Sequence, residues 1–457
     1  MILIRDSAIR IPQRFLKEDW CVKIINDLTR SSKTYGNAED EETRIYYSTE
    51  DNDVLIPRFY PVQKFDIMID DIRGDGMKIS VQSKVKPRNF KQEVAINWMV
   101  ESNEGILCMQ PGEGKTVVTI DALCKIGRKT IIFVHKNDLG SQWIDRFIEH
   151  TEIGKSSIGW LRSESFKSDL QNPIVVSTVQ TFCSLVRKGK EFLDEVKKAD
   201  FGVAVWDECH TSISAEMFSK TSLHLPVKKV FGLSATPERL DGNTDVMFMH
   251  LTNIFKPEGQ ADTMVPEVRM IHFDHKIVTK YKYQVNQLYL AENNSERGRF
   301  SKAVYLSKLI KSETLITRLR QIVKQIDQSK RNALILSERI NLLEEARKVV
   351  SHSDSSLYVG TTDEKEKNEA LSKRIIFSTY SKSRDGLDIP RLDCIVFCTA
   401  VSNIDQAAGR IVRTLEGKKS PVVIDIVDSG SDEMINRSKY RRKFYTQKNW
   451  IITDKRV

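Results

Sequence analysis

The sequence is 457 residues long, more than a single hydrophobic core organises, so two or three domains are expected. With 40% hydrophobic and 29% charged residues it has a globular make-up, and no apolar run approaches the length of a membrane span, which excludes a helical membrane protein. Lys and Arg (71) exceed Asp and Glu (62) for a net charge of +9, a balance that suits a polyanionic partner, and the first residues lack the pattern of a secretory leader, so a cytoplasmic location is expected.

Residues 1–86 alternate apolar and polar positions over short stretches, as in Arg44-Ile45-Tyr46-Tyr47 and Val54-Leu55-Ile56. A turn signal at Arg73-Gly74-Asp75-Gly76 and an acidic loop at 39–42 punctuate them. This predicts a small mixed α+β accessory domain of near-neutral charge. Beyond it, apolar β-rich runs at 105–109, 130–135, 174–178, 201–206 and 230–234 alternate with helical patterns such as 138–150 and 181–198. The polar stretch 276–301 reads as a loop or insertion. A second block follows, with runs at 332–337, 356–359, 374–379, 393–399 and 421–427 and helices at 305–328 and 340–350. Continuous apolar strands alternating with helices predict parallel sheets covered on both faces. The expected organisation is therefore α/β: an accessory domain over 1–86 and two α/β domains over 87–260 and 261–457.

The last stretch, 431–457, carries eight Lys/Arg against three acids, with Tyr440, Phe444, Tyr445 and Trp450 interleaved. It reads equally as a nucleic-acid surface or as a final helix with its aromatics packed inward. The seven cysteines form no C-x-x-C pair and sit largely in apolar runs, as reduced core residues do.

The chemistry concentrates in three places of the first block. Met109-Gln110-Pro111-Gly112-Glu113-Gly114-Lys115-Thr116 links an apolar strand to a helical run, the context of a phosphate-binding loop. Gly112 and Gly114 allow backbone N–H groups to close on phosphate oxygens, Lys115 would reach the β- and γ-phosphates, and Thr116 would hold Mg²⁺. Met109 stands where the general pattern has Gly. Asp207-Glu208-Cys209-His210 ends an apolar strand; a strand-terminal Asp can hold the Mg²⁺ of a nucleotide and the adjacent Glu can activate water. Ser234-Ala235-Thr236-Pro237 ends another strand, placing loop, acid pair and hydroxyl pair at one sheet edge.

In this order the motifs resemble those of superfamily 2 helicases and translocases, over about residues 87–428. The resemblance implies two tandem RecA-like domains, ATP and Mg²⁺. It makes Lys115, Asp207, Glu208, Gln406, Arg410 and Arg413 the catalytic set, with Thr116 and Asp207 on the metal. Arg88, Phe90 and Gln92 would meet adenine, although Lys91 falls where the family has Gln and Gln92 lies one place later. Gly112, Glu113, Gly114, Gly386 and Asp388 would complete the nucleotide contacts. His210, Ser234 and Thr236 would couple hydrolysis to motion; His135, Lys136, Thr178, Gln180 and Arg384 would meet the nucleic acid. Arg410 and Arg413 stand at i and i+3, so a helix is expected to present both guanidiniums on one face as arginine fingers.

Within the superfamily, the Asp-Glu-Cys-His box, Ser-Ala-Thr-Pro and Leu387-Asp388-Ile389-Pro390 resemble the group containing the phage recombination helicase UvsW, the poxviral transcript-release helicase and XPB. This implies a phage or viral branch-migration DNA helicase, monomeric and acting on single-stranded and branched duplex DNA, without a membrane partner, in the host cytoplasm. The appended 1–86 would recognise the DNA. RNA is not excluded: an RNA or transcription-complex remodeller would use the same motifs. A nucleic-acid-binding scaffold with a vestigial ATP site is the alternative of another class, and the intact Lys115, Thr116, Asp207, Glu208, Arg410 and Arg413 oppose it.

Overall fold

The computed structural model describes residues 1–33, 41–211, 215–237, 244–259, 264–273, 302–309, 311–360, 364–384, 389–401, 404–429 and 432–456. The chain divides into two compact units, Met1–Ala261 and Asp262–Val457. Among the described residues no helix is long and apolar enough to cross a membrane.

The first unit opens with the strands β1 (Ile2–Arg5), β2 (Ile9–Ile11), β3 (Thr29–Lys33), β4 (Glu41–Ile45), β5 (Ser48–Glu50), β6 (Asp53–Ile56) and β7 (Met68–Asp71). Five of them make a mixed sheet in the order β5-β6-β2-β1-β7, and β3 pairs with β4 alone. Of the expected acidic loop, Glu41 and Glu42 instead begin β4, and the rest lies outside the described residues. The helix Asp19–Asp27 closes the small core with Cys21 and Ile24.

That core is not self-contained. Val246, from the helix Thr244–Leu251, is buried within it, and Leu223 joins Ala8 and Leu55 in a second shared cluster. Arg58 is fully buried and donates to the carbonyls of Ser222 (2.5 Å), Leu225 (3.2 Å) and Val227 (3.4 Å). Arg30 clasps Asp245 with two bonds of 2.8 and 2.7 Å. Its two terminal nitrogens are committed to these carbonyls, so Arg58 offers no surface charge, and burial pushes its pKa down to about 9.

The larger sheet of this unit has seven parallel strands: β8 (Glu104–Cys108), β9 (Thr130–Val134), β10 (Ile158–Trp160), β11 (Ile174–Thr178), β12 (Val203–Trp206), β13 (Lys229–Ser234) and β14 (Ile254–Phe255). Their order is β10-β11-β9-β12-β13-β8-β14. Every residue of β9, β11 and β12 is buried because helices cover both faces. The pleat sends Ile131 and Phe133 to one core and Ile132 and Val134 to the other. Since all strands run parallel, the loops after β8, β9, β11, β12 and β13 emerge at one edge. The helical pattern 181–198 is two helices, Val179–Arg187 and Lys190–Ala199, parted at Lys188 and Gly189.

The second unit repeats the plan with β15 (Glu267–Phe273), β16 (Ala333–Ser337), β17 (Ser355–Tyr358), β18 (Ile375–Thr379), β19 (Cys394–Phe397), β20 (Val422–Asp428) and β21 (Ile451–Arg456). All pairs are parallel, in the order β17-β18-β16-β19-β20-β15-β21. The helical pattern 305–328 is likewise two helices, Lys302–Leu309 and Glu313–Gln328, the second capped by Ser312. The stretch 276–301 lies outside the described residues.

The two readings of the basic carboxyl-terminal stretch separate here. Phe444, Tyr445 and Trp450 form an aromatic cluster on the sheet, with centroids 5.4–5.9 Å apart. Arg441, wholly buried, pairs with Asp425 through bonds of 2.8 and 2.7 Å and also donates to Val401 O (2.9 Å). These residues pack inward because β21 returns to pair with β15 and draws the helix Asp432–Gln447 onto the sheet. Of the four aromatics only Tyr440 is exposed.

Candidate functional site

β8 delivers the chain into the loop 109–114, and the helix Lys115–Ile126 starts directly after it. Gly114 is the N-cap at φ +91, a conformation costly for any residue with a Cβ, and no side chain caps the helix. The first N–H groups of the helix are thus left without a side-chain cap, in the arrangement that receives an anion. A Cβ at Gly114 would also fall 2.6 Å from Gln92 Nε2.

The segment before the loop braces it. Gln92, 2% exposed, donates from Nε2 to Glu113 O (2.8 Å) and accepts the Arg88 N–H at Oε1 (2.9 Å). Arg88 Nη2 reaches Gly112 O at 3.3 Å. Lys91, which occupies the position expected for Gln, pairs instead with Glu113 Oε1 (2.7 Å), whose other oxygen accepts the Gln110 N–H (2.7 Å). Phe90 is 67% exposed beside this brace. A cavity of about 300 Å³ next to the loop is lined by Lys91, Gln110, Glu113, Thr236 and Lys256.

The acid pair lies at the end of β12. Lys115 Nζ stands 3.3 Å from Glu208 Oε1. Glu208 adopts φ +45, an uncommon conformation for a non-glycine residue, and its N–H donates to Asp207 Oδ1 at 2.9 Å. Asp207 Oδ2 accepts the indole N–H of Trp143 at 2.8 Å. Burial, then the neighbouring Glu208 carboxylate, raises the Asp207 pKa, against the pull of Lys115 and Trp143. His210 Nδ1 lies 2.7 Å from Ser234 Oγ and 3.5 Å from Glu208 Oε2, and Ser234 Oγ accepts the Thr236 N–H at 3.0 Å. A continuous polar chain thus runs from the acid pair to the end of β13. The donor set of Thr116 hydroxyl and Asp207 carboxylate is all oxygen, which fits a hard divalent cation such as Mg²⁺, and the uncapped helix end fits the phosphates it accompanies.

At the same edge, His135 directly follows β9, Lys136 stands at the N-cap of the helix Asn137–His150, and Gln180 Nε2 donates to His135 O (3.2 Å). Thr178 caps the next helix: its hydroxyl accepts the Thr181 N–H at 3.1 Å and it is 7% exposed. Its side chain thus fixes the start of that helix at the same edge.

In the second unit, Gly386 and Asp388 lie outside the described residues, as do the side chains of Arg384 and Gln406. Arg410 and Arg413 are described, and the helix expected to carry them is absent there. It spans Asp405–Ala408 only, and residues 409–412 form turns. Gly409 weakens the helix while Ile411 and Val412 are drawn into the core beneath, so the chain turns onto the sheet. Arg410 is buried to 8% exposure. Lys418, not singled out in the sequence, donates to Arg413 O (2.7 Å) and Pro390 O (3.1 Å), joining the ends of two motifs. Burial pushes its pKa down to about 8.

Comparison with known proteins places this geometry. Residues 84–239 match the family model of the type III restriction enzyme res subunit. L396 of Acanthamoeba polyphaga mimivirus, which bears the name of an ATP-dependent RNA helicase, is 26% identical over 420 residues, covering 89% of this chain and 77% of its own length. D10 of Escherichia phage T5, named as a helicase, is 25% identical over 354 residues, covering 75% and 71%. Over these spans the chain is similar to the superfamily 2 helicases. Its fold is similar to that of S. cerevisiae Dbp5 bound to RNA and ADP BeF3, with a TM-score of 0.52 at 15% identity over 81% of this chain and 90% of that one. As a helicase-family ATPase with phage and viral relatives, it is an ATP-using enzyme that acts on nucleic acid.

Proposed function

We propose that this chain is a monomeric, ATP-driven DNA translocase that remodels forks and Holliday junctions in the host cytoplasm. The observation that supports this reading best is the attachment of the accessory domain to residues 222–227 and to the helix Thr244–Leu251, which flank Ser234 and Thr236. A domain fixed there can hold duplex against a branch while the engine draws on one strand.

Lys115 grips the β- and γ-phosphates, and Glu208, within ion-pair distance of it, takes the proton of the attacking water. Thr116 and Asp207 would hold Mg²⁺, which would supply positive charge to the phosphate oxygens. Arg88 and Gln92 brace the loop and meet adenine at its edge, with Phe90 stacking. Gln406, Arg410 and Arg413 supply the transition-state charge from the second unit, and Gly386 and Asp388 complete the nucleotide contacts. His210, Ser234 and Thr236 pass the state of the acid pair to β13. His135, Lys136, Gln180 and Arg384 follow the phosphate backbone.

A second reading, an RNA or transcription-complex remodeller, draws on the relatives' names: L396 is named for RNA, and A18 of Yaba monkey tumor virus, 26% identical over 364 residues, for transcript termination. Measuring ATP hydrolysis with single-stranded DNA, single-stranded RNA and a four-way junction, at one salt concentration, separates the two. Strongest stimulation by the junction supports the DNA reading. Stimulation by RNA alone replaces it, and absence of hydrolysis with all three rejects both.

A further inference from the structure

Trp143 lies on the helix Asn137–His150, whose buried residues are Gly140, Trp143 and Phe147. The helix approaches the sheet very closely: a Cβ at Gly140 would fall 2.0 Å from the ring of Trp160. This approach carries the Trp143 indole, 2% exposed, to the end of β12. A buried indole N–H requires an acceptor. In the same unit Trp206 meets that need with a neutral hydroxyl, Thr221 Oγ1 at 3.1 Å. Trp143 meets it with the Asp207 carboxylate, Oδ2 at 2.8 Å, while Oδ1 takes the Glu208 N–H at 2.9 Å. Each oxygen of Asp207 therefore has one fixed donor, and the plane of the carboxylate is set from both sides. One donor is backbone and cannot be mutated away; the other is a single side-chain N–H.

We propose that Trp143 is a positioning residue for the nucleotide-bound metal: its N–H fixes the Asp207 carboxylate so that the remaining lone pairs meet Mg²⁺ without a reorientation cost. The idea rests on the assignment of Asp207 under the proposed function. Groups that hydrogen-bond a metal-ligating carboxylate orient it, and their removal typically lowers metal affinity ten- to hundredfold. The same indole ties the acid pair to the helix that follows His135 and Lys136, so one hydrogen bond links the metal ligand to the element next to the expected nucleic-acid contacts.

The test is Trp143→Phe, read by equilibrium binding of a fluorescent ADP across a Mg²⁺ titration, with thermal melting alongside. The half-saturating Mg²⁺ concentration is expected to rise about ten- to hundredfold. Affinity without Mg²⁺ is expected to stay unchanged, since the loop and Lys115 hold the phosphates independently. Phe147→Leu, on the same buried face, perturbs packing but keeps the indole N–H; it should lower the melting temperature and leave the Mg²⁺ midpoint in place. Should Trp143→Phe fail to fold, site-specific replacement of Trp143 by 3-benzothienylalanine keeps the ring size and removes only the N–H. A Mg²⁺ midpoint equal to that of the unaltered protein in either folded variant overturns the proposal. A midpoint displaced equally by Phe147→Leu also overturns it, because packing then accounts for the effect. If the unaltered protein binds ADP with no dependence on Mg²⁺, the assignment of Asp207 itself fails, and the proposal with it.

Discussion

Lys115 Nζ and Glu208 Oε1 lie 3.3 Å apart, with both side chains largely shielded from water. One cation therefore serves both the phosphate cradle and the residue proposed to activate water. Lys115→Ala removes the grip on phosphate and leaves Glu208 without this ion pair. ATP hydrolysis should become undetectable, while nucleic-acid affinity measured without nucleotide should stay within about threefold, since the track contacts lie on other loops. Near-normal turnover at saturating ATP would remove this loop from the mechanism.

Glu208→Gln keeps the shape of the side chain and removes its basicity. ATP with Mg²⁺ should bind about as tightly as to the unaltered protein, while hydrolysis is lost. Equilibrium binding and single-turnover hydrolysis on the same preparation decide it. If binding disappears together with hydrolysis, Glu208 is part of the nucleotide's footing and not the base.

Much of this site was legible because its chemistry sits where strands end. Five apolar runs of the first sheet and five of the second mark strands whose residues are nearly all buried, and a parallel sheet then brings their terminal loops to one edge. What escaped was either too short or held by distant partners. β10 and β14 have three and two residues, too few for a period to show. β21, at the edge, and β15, beside it, are of mixed polarity and become strands only by pairing with one another and, for β15, with β20. Arg58 looks like a surface cation until the carbonyls of Ser222, Leu225 and Val227, more than 160 residues away, are folded around it. Trp143 reads as a core aromatic; only the tertiary placement of Asp207 reveals the acceptor for its N–H. The helix expected at Arg410 and Arg413 failed because local spacing ignores the pull of Ile411 and Val412 toward the core.

Arg410→Ala and Arg413→Ala should each slow ATP turnover, by roughly a thousandfold for a residue acting as an arginine finger. Because Arg410 sits on a turn and Arg413 directly after it, not together on one helical face, the two are not expected to be equivalent. Arg410, more deeply buried, should also lower the melting temperature; Arg413 should not. Full activity in both variants would show that the second unit does not complete the site.

His250 is wholly buried beside Ser219 Oγ (3.1 Å), and burial, with Arg58 adding a like charge, pushes its pKa down to about 3 from the ordinary 6.5. Between those values the unfolded chain binds a proton that the folded chain refuses. The stability carried by neutral His250 is therefore complete above the unfolded pKa and is lost as the pH falls below it. The loss should be about 2 kcal/mol between neutral pH and about pH 5, at about 1.4 kcal/mol per unit. Urea melts across this range should show it, and His250→Gln should flatten that part of the profile. An equal pH dependence in the variant would place the titration elsewhere.

The accessory domain is the remaining choice between targeting and support. Its buried Arg58 and its shared core with Leu223 and Val246 mean that deleting 1–86 would strip apolar surface from the ATP-binding unit, so a deletion confounds the two roles. Point variants separate them. Arg58→Met keeps most of the side-chain volume but leaves three carbonyls without their donor, and should lower stability by about 3 kcal/mol. Lys84 and Lys86 are exposed on the stretch leading into the nucleotide brace, where nothing in the packing needs their charge. Lys84→Ala with Lys86→Ala should leave the melting temperature unchanged and weaken four-way-junction binding several-fold, with a shallower salt dependence by about two released counterions. Stimulation of ATP hydrolysis by single-stranded DNA should persist. If the double variant remodels junctions as fast as the unaltered protein while Arg58→Met is destabilised, the domain acts as structural support for the first sheet, and recognition of the branch must be sought on the other loops of the engine.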